Sequence, residues 1–448
     1  SLVNRGISSS DIRPMFVRYE GYLQRVKNND SSTPYKQKLI ENARKAIDGL
    51  LRRINSLEQK GKDKGLTENE RNKLDNFNKL LKDYQKTSDT NSDSYVLVSG
   101  GAGYVGSFCV RILLEKGYKV IIYDNLSAGN RALIPEDVVF IEGDLSDKEK
   151  LEEVFLNYNI TTVMNFAASI EVGESRRNPA KYFFNNTINT IGLMDVAASA
   201  GVKHFIHSST AAVYGEPQRV PIKEIDLLNP VNAYGESKLM IERAMEFYEQ
   251  KFGMHFVRFR YFNVAGAAQD ATLGEYHTKK ESHIIPRLIF IIYGWMKKFG
   301  IAGFQVENQE QKDYYLSSER KLPDPTPIRD YINVVDLAEA HELAIGYLVK
   351  ENRSQAFNLG TGEGSSLKEV IDAVSKFTKQ QLPIKVEASG REGEPSKLVA
   401  ASDKAKQELG WSPSRTLEDS VRTSVQWYNS EEFKSIQEGK TISQDSLN

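Results

Sequence analysis

The sequence predicts an α/β protein: a doubly wound parallel sheet, a smaller C-terminal α/β unit, and a helical hairpin extension at the N-terminus. Three observations carry this reading. From Tyr95 onward, short β-branched runs alternate with helix-length stretches, the pattern of a parallel sheet covered by helices on both faces. A glycine-rich turn joins the first such run to the first such stretch. The residues before Tyr95 differ from the rest in charge and in hydrophobic period.

The N-terminal unit is basic. Residues 1–94 hold 19 Lys and Arg against 13 Asp and Glu, a net of +6, which leaves 40 against 47, a net of −7, for the remainder. Thr33 and Pro34 open a helix as cap and first-turn proline. Leu39, Ala43, Ile47, Leu50, Ile54 and Leu57 then line one helical face. Lys60–Gly65 breaks that face, and Thr67 with Glu70 forms the capping box of a second helix striped by Leu74, Phe77, Leu80 and Tyr84. Nothing in this hairpin suggests chemistry. A structural or oligomerising appendage and a docking module both fit it, and Thr87–Ser94 reads as the linker.

The whole chain of 448 residues is 40% hydrophobic and 27% charged with a net charge of −1, which excludes a disordered polymer and argues against a globally basic nucleic-acid binder. A single cysteine, Cys109, excludes an internal disulfide framework and fits a reducing, cytoplasmic setting. The longest apolar run, Leu288–Met296, is too short to cross a bilayer as a helix, which takes about 20 residues. No charged-then-apolar leader opens the chain, and its first residue is Ser1, as expected of a shortened or processed chain.

The strands follow in order as Tyr95–Ser99, Val120–Tyr123, Val138–Ile141, Thr162–Asn165 and His204–Ile206. The first leads into Gly100-Gly-Ala-Gly103-Tyr104-Val105-Gly106 and a helix containing Cys109 to Leu114. Glycines let the backbone approach a pyrophosphate, and the helix N-terminus offers free N–H groups to that anion. Asp124 ends the second strand, 18 residues beyond Gly106, where a carboxylate accepts ribose hydroxyls and repels a 2′-phosphate. NAD is therefore expected rather than NADP. Asp144, after the third strand, is placed to reach the adenine, or else belongs to a surface turn. Phe166, Ala167 and Ala168, after the fourth, leave room for a cofactor, or else form a packed strand end.

Tyr234-Gly-Glu-Ser-Lys238 sets a phenol and an ammonium at i and i+4 on one helix face, where the cation favours phenolate. Such a tyrosine takes a proton from a sugar hydroxyl while hydride leaves the same carbon. Ser208-Ser209-Thr210 follows the fifth strand at the carboxyl edge of the sheet, where ligands bind. Thr210 is read as a partner of the same substrate oxygen, against a plain helix cap; Tyr234 is read as the base, against an ordinary half-buried aromatic.

From about Tyr95 to Ser430 the chain resembles the extended short-chain dehydrogenase/reductases, specifically the UDP-galactose (UDP-glucose) 4-epimerases. The resemblance rests on GGAGYVGS at Gly100, YDNLSAGNR at Tyr123, FAASIEVGES at Phe166, SSTAAVYG at Ser208, NAYGESK at Asn232 and RYFNVAGA at Arg260. ESHIIPRLI at Glu281, RDYINVVDLAEAH at Arg329, FNLGTGEGSS at Phe357 and REGEPSKLVAASDKAKQELGW at Arg391 continue it. It implies a Rossmann-type NAD-binding domain over 95–263, to which 329–360 return, and a nucleotide-sugar domain over 264–328 and 361–448. It implies a catalytic set of Thr210, Tyr234 and Lys238: Tyr234 deprotonates the 4-hydroxyl, hydride passes from C4 to a retained NAD, the 4-ketose turns over, and hydride returns to its other face. Asn125, Leu145, Asn185, Ser208 and Tyr261 join the glycine turn, Asp124, Asp144 and Phe166–Ala168 around the cofactor. Asn263, His283, Ile284, Arg329, Tyr331, Arg391, Glu394 and Leu398 are implied to hold the UDP-sugar, and two guanidinium forks suit its diphosphate. The resemblance further implies a cytoplasmic homodimer joined through helices of the NAD-binding domain. No metal site, membrane association or nucleic-acid partner is expected.

Ala211 and Ala212 stand where the related 4,6-dehydratases carry an acid, which disfavours water elimination. UDP-glucose and UDP-galactose are the first substrates expected; N-acetylated UDP-hexoses are the alternative, because Leu398 is intermediate in bulk at a position where an aromatic crowds an N-acetyl group. A catalytically inactive scaffold acting through residues 1–94 is the reading from another class, and the intact Thr210, Tyr234 and Lys238 argue against it. Residues 305–327 are longer than the family's connection, either as a surface insertion or as a change beside the uridine site.

Overall fold

In the computed structural model the described residues are 94–277, 281–295, 300–301, 304–305, 327–381, 385–386, 395 and 397–438. The expected N-terminal hairpin lies outside them, as do Arg391, Glu394 and all but the ends of the 305–327 connection.

Seven parallel strands form the main sheet: β1 (Tyr95–Ser99), β2 (Lys119–Asp124), β3 (Val139–Glu142), β4 (Ile160–Asn165), β5 (His204–Thr210), β6 (His255–Tyr261) and β11 (Gln355–Leu359). Their order is β11-β6-β5-β4-β1-β2-β3, with the chain reversing direction across the sheet between β1 and β4. That reversal opens a crevice beyond the carboxyl ends of the strands. The fifth strand runs on to Thr210, four residues past its expected end. Ser208, Ser209 and Thr210 are polar and do not read as strand, yet they pair with Phe259, Arg260 and Tyr261 of β6.

Alternation along the strands builds two cores. Val96 and Val98 of β1 face one side, where they meet Val110 and Leu113 of helix α1 (Tyr104–Glu115). Leu97 faces the other side with Leu151 and Phe155 of α2 (Lys148–Asn157). Each side chain so buried contributes roughly 1.5–3 kcal/mol, which explains why strands of five or six residues suffice. Two short helices, α3 (Val172–Arg177) and α4 (Pro179–Tyr182), follow β4 and run into a π-helical stretch over Phe183–Ile188. Helices α5 (Asn189–Ser199) and α6 (Ala233–Phe252) complete the α2 side.

The second unit has its own sheet of β12 (Gly364–Ser366), β10 (Ile328–Asn333) and β14 (Lys397–Leu398), with β7 (Asn263–Ala265) also paired to β10. Two-residue strands β8 (Gly300–Ile301), β9 (Phe304–Gln305) and β13 (Lys385–Val386) form a third, small sheet. Helices α7 (Ile284–Ile292), α9 (Leu367–Thr378), α11 (Leu417–Tyr428) and α12 (Glu431–Glu438) share an apolar core with Phe108 of α1. Residues 329–360 divide between the units: β10 pairs in the smaller sheet, while α8 (Val334–Glu351) and β11 pack with the large one. Helix α10 (Asp403–Leu409) also returns to the large sheet, where Ala405, Leu409 and Trp411 are buried against α8.

Candidate active site

The crevice is a cavity of about 500 Å³ bounded by both units. Helix α1 begins at Tyr104 after Gly103, with no side chain capping it, so its first-turn N–H groups are left for a ligand. Gly103, Tyr104, Val105 and Gly106 line the cavity there. Gly100 has φ +75°, and a Cβ on it would lie 2.6 Å from the Ala167 backbone nitrogen. A Cβ on Gly106 would strike the Gly100 carbonyl oxygen. The turn is therefore pressed against β4 and its own helix, leaving its outer edge to the ligand. Ala167 serves this packing and not the cavity wall; Phe166 and Ala168 line the cavity.

Asp124 is buried at the end of β2. Its Oδ2 accepts the Ala102 N–H at 3.0 Å and its Oδ1 accepts the Leu126 N–H at 2.8 Å, which fixes the carboxylate beside the glycine turn. Burial raises its pKa and those two N–H donors oppose the shift. Each oxygen keeps acceptor capacity for a hydroxyl. An uncapped helix end, a side-chain-free turn and a fixed carboxylate are the donor and acceptor set that a dinucleotide needs, so these residues fit NAD. Asn125, just after β2, donates to Asp144 at 2.5 Å, and Asp144 also accepts from Ser146, so this pair ties together the turns beyond β2 and β3. Leu145 is buried in the α2-side core. None of Asp124, Asn125, Asp144, Leu145 and Asn185 lines the cavity itself.

The π-helical stretch carries Asn185, expected near the cofactor, and its neighbour Asn186. Asn186 is fully buried, accepts the Ser169 N–H at 2.7 Å and donates to Ser237 at 3.1 Å. Asn185 donates to Ser169 Oγ and to Asn186 at 3.2 Å.

Thr210, Tyr234 and Lys238 meet on one wall. Asn232 caps α6 by accepting the Gly235 N–H at 2.9 Å, which starts the helix just before Tyr234. Thr210 has two roles at once. Its hydroxyl accepts the Ala212 N–H at 3.1 Å, capping the short helical turn Ala211–Tyr214, and it hydrogen bonds the Tyr234 phenol. Burial raises the Tyr234 pKa, and the bond from Thr210 opposes the rise. Burial drives Lys238 down to about 7, against the pull of Glu242, and its Nζ donates to the Ser208 carbonyl at 2.7 Å. The ammonium is thus directed at the end of β5. Ser208 Oγ and the Tyr261 hydroxyl share a short hydrogen bond beside it.

This lysine tests itself through pH. Its folded pKa lies below the ordinary lysine value, so between about 7 and 10.4 the unfolded chain binds the extra proton and stability rises with pH. The burial cost is full below pH 7 and relieved above it. Lys238→Met, measured by urea unfolding without added cofactor, is expected to gain stability relative to wild type at pH 7, and that gain is expected to shrink by pH 9.5. A gap that is constant or widens over this range contradicts the assignment.

The opposite wall comes from the second unit. Asp330 is fully buried and accepts from Thr361 N at 2.7 Å, Gly362 N at 3.0 Å and Ala400 N at 3.1 Å. One carboxylate therefore ties β10 to the loops after β11 and β14, which brings Arg329, Tyr331 and Leu398 to the cavity with Asn263, His283 and Ile284. Burial pushes the Tyr331 phenol up to about 12.

Two groups escaped the sequence reading. The first is Glu242, buried with Arg260 at 2.6 Å and accepting from Ser209 at 2.5 Å. It sits at i+4 from Lys238 and i+8 from Tyr234, a stripe visible once α6 is known. The second is the cluster that Glu275, His277 and Glu281 form with His283, which was expected only at the UDP-sugar; their donor atoms lie within 4.8 Å of one another. The repeated Glu-x-His spacing was its signal.

Comparisons with known proteins agree with this geometry. The model of the NAD dependent epimerase/dehydratase family matches residues 96–360. The UDP-glucose 4-epimerase of Streptococcus mutans is 42% identical over 338 residues, 75% of this chain and 97% of that protein. The crystal structure of UDP-glucose 4-epimerase from Bifidobacterium longum in complex with NAD+ and UDP is 33% identical, covers 75% of this chain and 98% of its own, and superposes with a TM-score of 0.67. The UDP-Glc/GlcNAc 4-epimerase of Campylobacter jejuni is 38% identical over 75% of this chain and 98% of its own, with a TM-score of 0.62.

Proposed function

The chain belongs to the NAD dependent epimerase/dehydratase family, and from that premise we infer the roles of its site residues. It is an NAD-dependent isomerase that interconverts UDP-galactose and UDP-glucose at sugar C4. One observation carries the assignment: Tyr234, Thr210 and Lys238 line the same cavity as the glycine turn and Arg329.

Tyr234 Oη takes the proton of the 4-hydroxyl and later returns it. Thr210 Oγ1, bonded to that phenol, holds the sugar oxygen in line with it. Lys238, one turn further along α6, supplies positive charge at the end of β5. NAD, when bound, supplies the hydride acceptor and gives the hydride back, so no net oxidation results. Gly100, Gly103 and Gly106 admit its pyrophosphate and Asp124 takes its ribose hydroxyls. Arg329 takes the UDP diphosphate, a role the family resemblance also gives Arg391; Asn263, His283, Tyr331 and Leu398, all at the cavity, border uridine or sugar, and the resemblance adds Glu394. The cavity of about 500 Å³ gives the 4-keto sugar room to turn over.

Purified protein incubated with UDP-galactose is expected to form UDP-glucose, seen by coupled assay, without stoichiometric NADH release. No UDP-glucose, or NADH released in step with product, sinks the reading. UDP-N-acetylgalactosamine belongs in the same assay, because half-buried Leu398 leaves more space at the sugar than an aromatic.

The quaternary assignment is a homodimer through the π-helical stretch and α6, in the cytoplasm, a setting that the single buried free thiol of Cys109 suits. Phe184 and Ile188 are 62% and 52% exposed, and Met240 and Phe247 on α6 are 41% and 70% exposed. Large apolar side chains so clustered mark an interaction surface. Phe184→Asp with Phe247→Asp is expected to yield a monomer by sedimentation at micromolar protein; a dimer that persists refutes this surface. Among the described residues no helix is long and apolar enough to cross a membrane.

A further inference from the structure

We propose that Glu275, His277, Glu281 and His283 form a binding site for one divalent transition-metal ion of the zinc class. The four ligand atoms lie within 4.8 Å of one another. Tetrahedral zinc with bonds of about 2.0–2.2 Å sets its ligand atoms ~3.4 Å apart, so small side-chain adjustments close the shell. The donor set is two imidazoles and two carboxylates. Imidazole nitrogen selects zinc and its neighbours over magnesium or calcium, which prefer oxygen alone.

The charge arrangement suits a cation, which would take the place of the protons on the two imidazoles that pair with Glu275 and Glu281. Glu275 and Glu281 are only 4% and 7% exposed, and two carboxylates this close and this buried repel each other. His277 Nε2 lies 2.8 Å from Glu275 and 3.9 Å from Glu281 Oε2, and His283 Nδ1 contacts Glu275 Oε1. These atoms point at a shared centre from both ends of the segment.

An outer layer holds the ligands in place, as built metal sites require. Glu281 Oε1 accepts the Ser282 and His283 N–H groups at 2.7 and 2.8 Å, which leaves Oε2 for the centre. The Glu275 carbonyl accepts from Trp427 Nε1 at 2.9 Å and the Tyr428 hydroxyl at 3.1 Å, both on α11. Ser282 Oγ hydrogen bonds Glu171 in the segment after β4. An ion here clamps the segment before α7 between the two units and fixes the His283 ring at the cavity wall. The inference stands on this cluster and is independent of the Tyr234 assignment.

The test uses the full chain. After chelation and buffer exchange, zinc chloride is titrated calorimetrically, and metal content is measured by mass spectrometry. Wild type is expected to take one zinc per chain. His277→Ala and Glu281→Gln are each expected to weaken zinc by more than about 100-fold, beyond the roughly 10–100-fold that loss of an outer-shell partner costs. His255→Ala, outside the cluster, is expected to bind as wild type does. Cobalt(II) reloaded into the chelated wild-type protein is expected to show the intense visible bands of a four-coordinate nitrogen and oxygen site, a readout that holds even if a variant misfolds. Failure of wild type to bind zinc, or zinc affinity unchanged in His277→Ala and Glu281→Gln, overturns the proposal.

Discussion

Replacing Tyr234 by phenylalanine is expected to lower kcat on UDP-galactose by about 10²- to 10⁴-fold, the range that a positioned proton-transfer group contributes. That loss corresponds to roughly 2.7–5.4 kcal/mol of transition-state stabilisation. Phenylalanine keeps the ring and its edge contact with Tyr182, whose centroid lies 6.4 Å away, so the wall should not collapse. KM is expected to change little, because the phenol meets one hydroxyl while the rest of the substrate has other partners. Burial favours the protonated phenol in the protein by itself. The reaction thus depends on groups that favour phenolate, and Thr210 is the one bonded to it. Thr210→Val is accordingly expected to reduce kcat less than Tyr234→Phe and to move the rising, acid-side limb of the pH profile to higher pH. Steady-state rates with circular dichroism as a folding control check both. A Tyr234→Phe enzyme within tenfold of wild type removes Tyr234 from the chemistry.

The second large effect concerns stability. Glu242→Ala is expected to destabilise the protein by about 3–5 kcal/mol, the cost of stranding one member of a buried ion pair. Its partner, Arg260, is 4% exposed and is held by Glu242 through Nε at 3.1 Å and Nη2 at 2.6 Å. Arg260 also donates to the Tyr214 hydroxyl at 3.0 Å and the Glu224 carbonyl at 3.1 Å, so it cannot swing into water when the carboxylate is gone. Glu242→Leu with Arg260→Met is expected to recover most of the loss, since no uncompensated charge remains. Urea unfolding of Glu242→Leu, Arg260→Met and the double variant gives the coupling energy; a coupling below about 1 kcal/mol rejects this account. Function follows from the same pair. Glu242 joins α6 to β6 through Arg260 and to β5 through Ser209, and it opposes the drop in the Lys238 pKa. Tyr234, Lys238 and Glu242 form one stripe of α6 running from the cavity to the sheet.

Much of the site was legible because its parts are local. The glycine turn and the α6 tyrosine and lysine each lie within one element, and spacing along an element sets which side chains share a face. Thr210 was legible as a hydroxyl at the sheet's edge, though it lies in the strand and both caps a turn and bonds the phenol. What spacing left open was electrostatic. Two residues four apart on a helix suggested a cation beside a phenol, yet burial and the Ser208 carbonyl decide where the Lys238 charge goes. The π turn that carries Asn185 and Asn186 is likewise not announced by any residue type.

By itself the sequence determined the parallel α/β class, the dinucleotide turn with its acid, and the face that carries Tyr234 and Lys238, because hydrophobic period and side-chain spacing are properties of single elements. The tertiary structure alone decided which distant groups share a volume: Glu242 with Arg260, Asp330 with the loops at Thr361 and Ala400, and the Glu275–His283 cluster beneath Trp427 and Tyr428. Those pairings join residues far apart in sequence, and the burial that gives them their strength exists only once the chain has folded around them.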